Sequence, residues 1–244
     1  MHKDLKDKRV VVVGGSTGIG LASAIAFADA GAVVTVASRS ADKLAAARER
    51  SGGRLRTAVV DGSDEAQVKA FLASVAPIDH LVLSANAGGT IGPFAQLDLG
   101  AMRSYFDNKL WVYLNVLRHL AATPPRESVT LINGAASRMA APAMAALAVV
   151  NGGLDALVRP LALELAPARV NAIAPGVIDT PYWAKMSEAD RAKLYEQAAA
   201  AVPVKRIGRD EDVADAVIFL ATNSYITGVV LDVDGGRRLT PHGR

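Results

Sequence analysis

Cysteine is absent from all 244 residues, which excludes disulfides, thiolate catalysis and cysteine-based zinc sites together and suits a reducing compartment. Histidine is scarce, with His2, His80, His119 and His242 too dispersed for metal-ligand spacing. No metal site is expected. The 27 Lys+Arg and 24 Asp+Glu leave a net charge of +3 without a basic block, so nucleic acid is not implied as a partner. The apolar run in "MHKDLKDKRVVVVGG" is too short for a signal peptide, and no span reaches transmembrane length without polar interruption. A soluble cytoplasmic protein with neither membrane nor nucleic-acid partner is the expectation. One further absence is local. Between Met139 and Arg159 there is no Tyr, Lys or His, and Asp155 is the only ionisable side chain.

What is present suits one α/β domain over residues 1–244, since 51% hydrophobic residues can fill one substantial core. β-Branched runs alternate with longer helical patterns: "RVVVVGG", "AVVTVAS", "LRTAVVD", "HLVLSAN", "SVTLING", "ARVNAIAP" and "GVVLDVDGG". Runs apolar on both faces predict buried parallel strands, and the intervening stretches are long enough for crossover helices. The fold class is therefore α/β, a doubly wound, seven-stranded parallel sheet of Rossmann type in three layers. Ser40, Ser63 and Arg209-Asp210 stand where helices should begin. The segment from Asp179 to Pro203, rich in Ala and charge, is expected to form a helical flap over the strand ends.

In "VVVVGGSTGIGLASAIAF", Gly14, Gly18 and Gly20 stand where a strand turns into a helix. Glycine permits the tight turn, lets backbone N–H groups approach a pyrophosphate and places a helix N-terminus beneath it. After the second strand come Ser38 and Arg39, where an acidic residue would accept hydrogen bonds from a bare adenosine ribose. Arg39 instead suits a 2′-phosphate, so NADP(H) is expected in preference to NAD(H).

With these motifs in place, the chain from Arg9 to Gly236 resembles the short-chain dehydrogenase/reductase family, whose glycine signature is TGxxxGxG. Matching motifs follow in order: the three glycines, Asp61 after strand three, "ANAG" from Ala85 to Gly88, Asn108 where the family keeps an active-site Asn, and "RVNAIAPGVIDTP". The resemblance implies a cofactor site of Gly14, Ser16, Thr17, Gly18, Ile19 and Gly20, with Ser38, Arg39, Asp61 and Gly62. Asn86, Ala87, Gly88, Asn151, Pro175, Gly176, Ile178 and Thr180 complete it. It also implies a small-molecule carbonyl or hydroxyl substrate. Homodimers or homotetramers are implied too, built on the apolar helix around "LWVYLNVL" and the long Ala-rich helix.

The family uses a Ser after strand five and a Tyr-x-x-x-Lys pair on the next helix. Here Asn133-Gly134 stand at the serine positions, Leu147 at the Tyr and Asn151 at the Lys. Leu147 cannot transfer a proton, whereas Asn151 retains hydrogen-bonding capacity for a ribose. Asn108, Asn133, Ser137 and Asn151 are the candidate catalytic residues. Arg138 could stabilise an oxyanion, and Tyr182 with Trp183 could close over a substrate. Tyr105, Lys109 and Tyr113 read as packing or interface residues, and Pro160 should kink its helix. Two readings stay open: an oxidoreductase with a non-standard site, or a cofactor-binding sensor, scaffold or subunit without turnover.

Overall fold

The computed structural model describes residues 5–86 and 88–240. In chain order the elements are β1 (Arg9–Val13), α1 (Gly18–Asp29), β2 (Val33–Ser38), α2 (Ala41–Arg50), β3 (Arg56–Val59), α3 (Glu65–Val75) and β4 (His80–Leu83). Then come α4 (Leu99–Tyr105), a π-helical stretch Phe106–Trp111, α5 (Val112–Leu120), β5 (Ser128–Ile132), α6 (Ala145–Glu164) and β6 (Arg169–Pro175). The chain continues with β7 (Ile178–Asp179), α7 (Glu188–Ala201), β8 (Gly208–Arg209), α8 (Asp210–Thr222) and β9 (Val230–Val233).

Seven parallel strands form one sheet in the order β3-β2-β1-β4-β5-β6-β9. Alternate side chains of each strand enter opposite layers. Val11, Val13, Leu81, Leu83, Val129 and Leu131 join a cluster with α3, α5 and α6, while Val10, Val12, Val34, Val36 and Val82 join one with α1, α2 and α8. Runs apolar on both faces are the consequence of helices covering both faces. Connections from β1 run towards β3 and those from β4 towards β9, so the strand order reverses between β1 and β4. A crevice opens there at the carboxyl ends of the strands.

Three local details differ from the sequence reading. Asp64, not Ser63, caps α3, its carboxylate accepting from the Ala66 and Gln67 amides at 2.9 and 3.0 Å. α6 continues through Pro160 to Glu164. A separate two-stranded ladder, β7 with β8, ties the base of the flap to the start of α8. The flap itself is mostly α7, which buries no residue and is held to β7 by Tyr195 donating to Asp179 Oδ1 at 2.8 Å. Among the described residues only α6 is long and apolar enough to cross a membrane by length and composition. Here its Ala146, Val150, Leu154 and Val158 side packs into the molecule and carries the buried Asn151 with it.

Candidate active site

The turn after β1 requires glycine for steric reasons. Gly14 has φ +83°, and a Cβ there would lie 2.5 Å from the Ala85 amide nitrogen. A Cβ on Gly20 would lie 2.3 Å from the Gly14 carbonyl oxygen. Thr17 gives α1 no side-chain cap and the first turn has no acidic residue, which leaves the leading N–H groups of the helix for an anion. Thr180 stands against this turn, 3.2 Å from where a Gly18 Cβ would be, and Gly176 lies as close to Asp234. The Pro175–Thr180 segment and the glycine turn therefore form two walls of one cleft.

At the end of β2, Ser16 Oγ donates to Ser38 Oγ at 3.0 Å, and Arg39 reaches over to donate to Asn108 Oδ1 at 3.0 Å. Asp61 accepts from the Ser63 amide and hydroxyl at 2.9 and 2.7 Å; these bonds, with Arg39 nearby, hold its carboxyl below the usual range. Gly62 is packed against Val112, Ile19 is half-buried and Ile178 is buried. Asn86 is exposed and Gly88 has φ +94°, while Ala87 lies outside the described residues.

At the inner end of the cleft stands a buried lysine. Lys109 Nζ donates to Asn133 O at 2.9 Å and to Asn151 Oδ1 at 2.8 Å, and the residue is 2% exposed. Burial pushes its ammonium down to about 7, with Asp155 opposing. Burial and then Tyr182 push the Tyr105 hydroxyl upward, and the nearby Asn151 side chain opposes them. A Cβ on Gly89 would meet Leu147 Cδ2 at 2.2 Å and the Tyr105 ring at 3.3 Å. Leucine from α6 and tyrosine from α4 thus share one space beside Gly89. Behind them Asp155 accepts from Asn133 Nδ2 and, at 2.7 Å, from Ser137 Oγ. Burial raises the Asp155 carboxyl against these bonds and the Arg138 charge. Asn133 Oδ1 is buried with no hydrogen-bond partner among the described residues.

The family model described as "Enoyl-(Acyl carrier protein) reductase" matches residues 13–238. A glucose 1-dehydrogenase from Gluconobacter oxydans is 36% identical over 247 residues, covering 95% of this chain and 92% of that protein. The chain belongs to the short-chain dehydrogenase/reductase family. Among solved structures, a small-chain dehydrogenase in complex with NADPH superimposes with a TM-score of 0.84 at 32% identity, covering 96% of this chain and 100% of the other. An NADPH-bound short chain oxidoreductase from Pseudomonas aeruginosa PAO1, described as containing an atypical catalytic center, has a TM-score of 0.83 at 32% identity. It covers 98% of this chain and 100% of its own.

Against the short-chain dehydrogenase/reductase pattern, the fold brings Asn133, Ser137 and Asn151 together as one hydrogen-bonded group around Asp155 and Lys109. Asn108 is not part of that group. Its amide donates to Ser104 O at 2.8 Å and its oxygen faces Arg39. Successive residues of a helix are rotated by about 100°, so Asn108 and Lys109 cannot both face inward. The π-helical stretch turns Lys109 in, and such turns frequently mark functional sites.

Arg138 is tied to Asp232 by a 2.6 Å ion pair that Arg238 shares, so its guanidinium is already engaged away from the Asn133–Asn151 group. Tyr182 and Trp183 pack edge to face, 4.7 Å between centroids, and Trp183 is pinned to Ile178 O. Tyr113 is fully buried and donates to the Leu83 and Ile132 carbonyls, a packing role as expected. Tyr105 and Lys109 are the functional candidates that the sequence reading set aside. The signal was present, because "YFDNK" is itself a Tyr-x-x-x-Lys spacing, on a different helix.

Proposed function

We propose that this chain is an NADP(H)-dependent oxidoreductase that interconverts a carbonyl and a hydroxyl group on a small molecule. The observation that carries this reading is the uncapped start of α1 between the glycine turn and Thr180, where backbone N–H groups are left for an anion. These residues fit a dinucleotide: backbone N–H groups for the pyrophosphate, Asp61 and Gly62 beside the adenine, and Asn151 and Thr180 at the nicotinamide end. When bound, the cofactor supplies or accepts the hydride. The protein's share is to hold the substrate oxygen and manage its proton.

Arg39 is the reading's 2′-phosphate ligand, released from Asn108 when the phosphate enters. NADPH should bind more tightly than NADH by about 1.5–3 kcal/mol, the worth of a charge-assisted bond. Calorimetry with both cofactors checks this, and equal affinities, or an Arg39→Ala variant that keeps the preference, would remove Arg39 from the role. The lack of a hydroxyl at Leu147 and of an ammonium at Asn151 favours a second reading, a cofactor-binding sensor or scaffold. Tight NADPH binding with no turnover of any carbonyl identifies it.

A second copy of the chain is the partner inferred here. Trp111, Val149 and Leu163 are 56%, 51% and 82% exposed, an unusual apolar display beside and along α6. Self-association through this helix would cover it, in closed symmetry as a dimer or tetramer. Light scattering at micromolar concentration should give a multiple of the 25.4 kDa chain mass, and a monomer alone would overturn the assignment.

A further inference from the structure

Resting on the oxidoreductase reading, we propose that Tyr105 and Lys109 do the work of the missing pair, Tyr105 as the proton donor to the substrate oxygen and Lys109 as the buried cation behind it. Each of the three places where the family's polar groups are absent is served by this one helical segment. Beside Leu147, which has no hydroxyl, stands the Tyr105 ring. On Asn151, which has no charge, and on the carbonyl of Asn133, next to the absent serine, rests the Lys109 ammonium. The Asn151 amide faces Lys109 with its oxygen, and the Lys109 ammonium stands over the Tyr105 ring, so the lysine bridges the two. Tyr182 from the flap stands near Tyr105 and beside the Gly89 backbone. The proton would therefore be delivered where the strand ends and the flap meet.

In the reductive direction, hydride reaches the carbonyl carbon and the π pair moves onto oxygen. That oxygen takes the Tyr105 hydroxyl proton, and the resulting tyrosinate is reprotonated from solvent as product leaves. In the oxidative direction the tyrosinate accepts the alcohol proton. A phenolate in a buried site needs a compensating charge, and Lys109 Nζ lies 5.9 Å from the centre of the Tyr105 ring. Two titratable groups bear on Lys109, Asp155 from α6 and Tyr105 from α4, and the fully buried Tyr113 from α5 bears on Tyr105 in turn. The ammonium brought down to about 7 is charged below that pH and neutral above it, so reduction should slow as the pH rises through about 7.

The test uses the whole protein, NADPH and a panel of aldehydes, ketones and α-diketones such as 2,3-butanedione. Wild type should oxidise NADPH with at least one of them. Tyr105→Phe should lose about 10²–10⁴-fold in kcat, the range for a positioned acid, with NADPH affinity changed less than twofold. Lys109→Met should lose the descending limb of the pH profile. In 13Cε-lysine spectra of wild type, one lysine absent from Lys109→Met should titrate at the midpoint of that limb, a readout independent of turnover. If Lys109→Met does not fold, Lys109→Gln, which can still donate to Asn151, carries the same comparison. Unchanged kcat in Tyr105→Phe, a lysine that titrates elsewhere, or NADPH binding without turnover of any panel member overturns the proposal. Failure to bind NADPH at all would instead sink the oxidoreductase reading beneath it.

Discussion

Raising the pH from about 7 to about 9 should stabilise the wild-type fold relative to Lys109→Met by about 1.4 kcal/mol per pH unit. Lys109 starts from 10.5 in the unfolded chain and is brought down to about 7 by burial. The unfolded state therefore binds more protons than the folded state throughout that window. Unfolding free energy rises with pH wherever that is so, and the rise ends once the unfolded amine also loses its proton. Below about 7 the lysine is charged in both states, and the cost of burying it is constant. Urea unfolding of both proteins at fixed ionic strength measures the difference, in which all other titrations cancel if they are unaffected by the substitution. A difference that stays flat between pH 7 and 9 would show that the amine is not desolvated.

The strands were legible because β-branched runs apolar on both faces have few alternatives once helices cover both layers. The glycine turn was legible because only glycine fits where a Cβ would strike Gly14 O or Ala85 N. The small β7–β8 ladder was not, since its strands are two residues each and carry no periodicity. The candidate site was half legible. Asn133, Ser137 and Asn151 were placed by counting along strand five and α6, where one register serves both. Lys109 was missed because which residue of "FDNKLW" faces inward depends on the wider π turn, and an ordinary helical wheel cannot supply that rotation. Asn108 carried the family's letter while Lys109 took the interior, and an ammonium is admitted there by two acceptors fixed on other elements.

Grafting the family's residues back into this chain should fail for the same reason, and by a large margin. Asn151→Lys places a second ammonium in the space of an amide whose oxygen is 2.8 Å from Lys109 Nζ. It removes an acceptor and adds a like charge where solvent is excluded. The expected loss is about 3–5 kcal/mol, the range for an uncompensated buried charge, and Lys109→Leu in the same chain should restore most of it. Leu147→Tyr meets a second obstacle, because the space beside Gly89 already holds the Tyr105 ring; the added bulk overpacks unless Tyr105→Leu makes room. Gly134→Ser meets neither obstacle. Gly134 has φ 173°, extended backbone that any residue adopts, and a Cβ there would lie 3.0 Å from Asn151 Nδ2, so the amide bound to Lys109 has only a few tenths of an ångström to give. The measurement is a double-mutant cycle in unfolding free energy between positions 109 and 151. Coupling of about 2 kcal/mol or more in favour of the double variant is expected for charges that share one desolvated site. Additive effects would mean that the two positions do not share a charge site, and that the lysine on the π turn does not occupy the place of the one missing from α6.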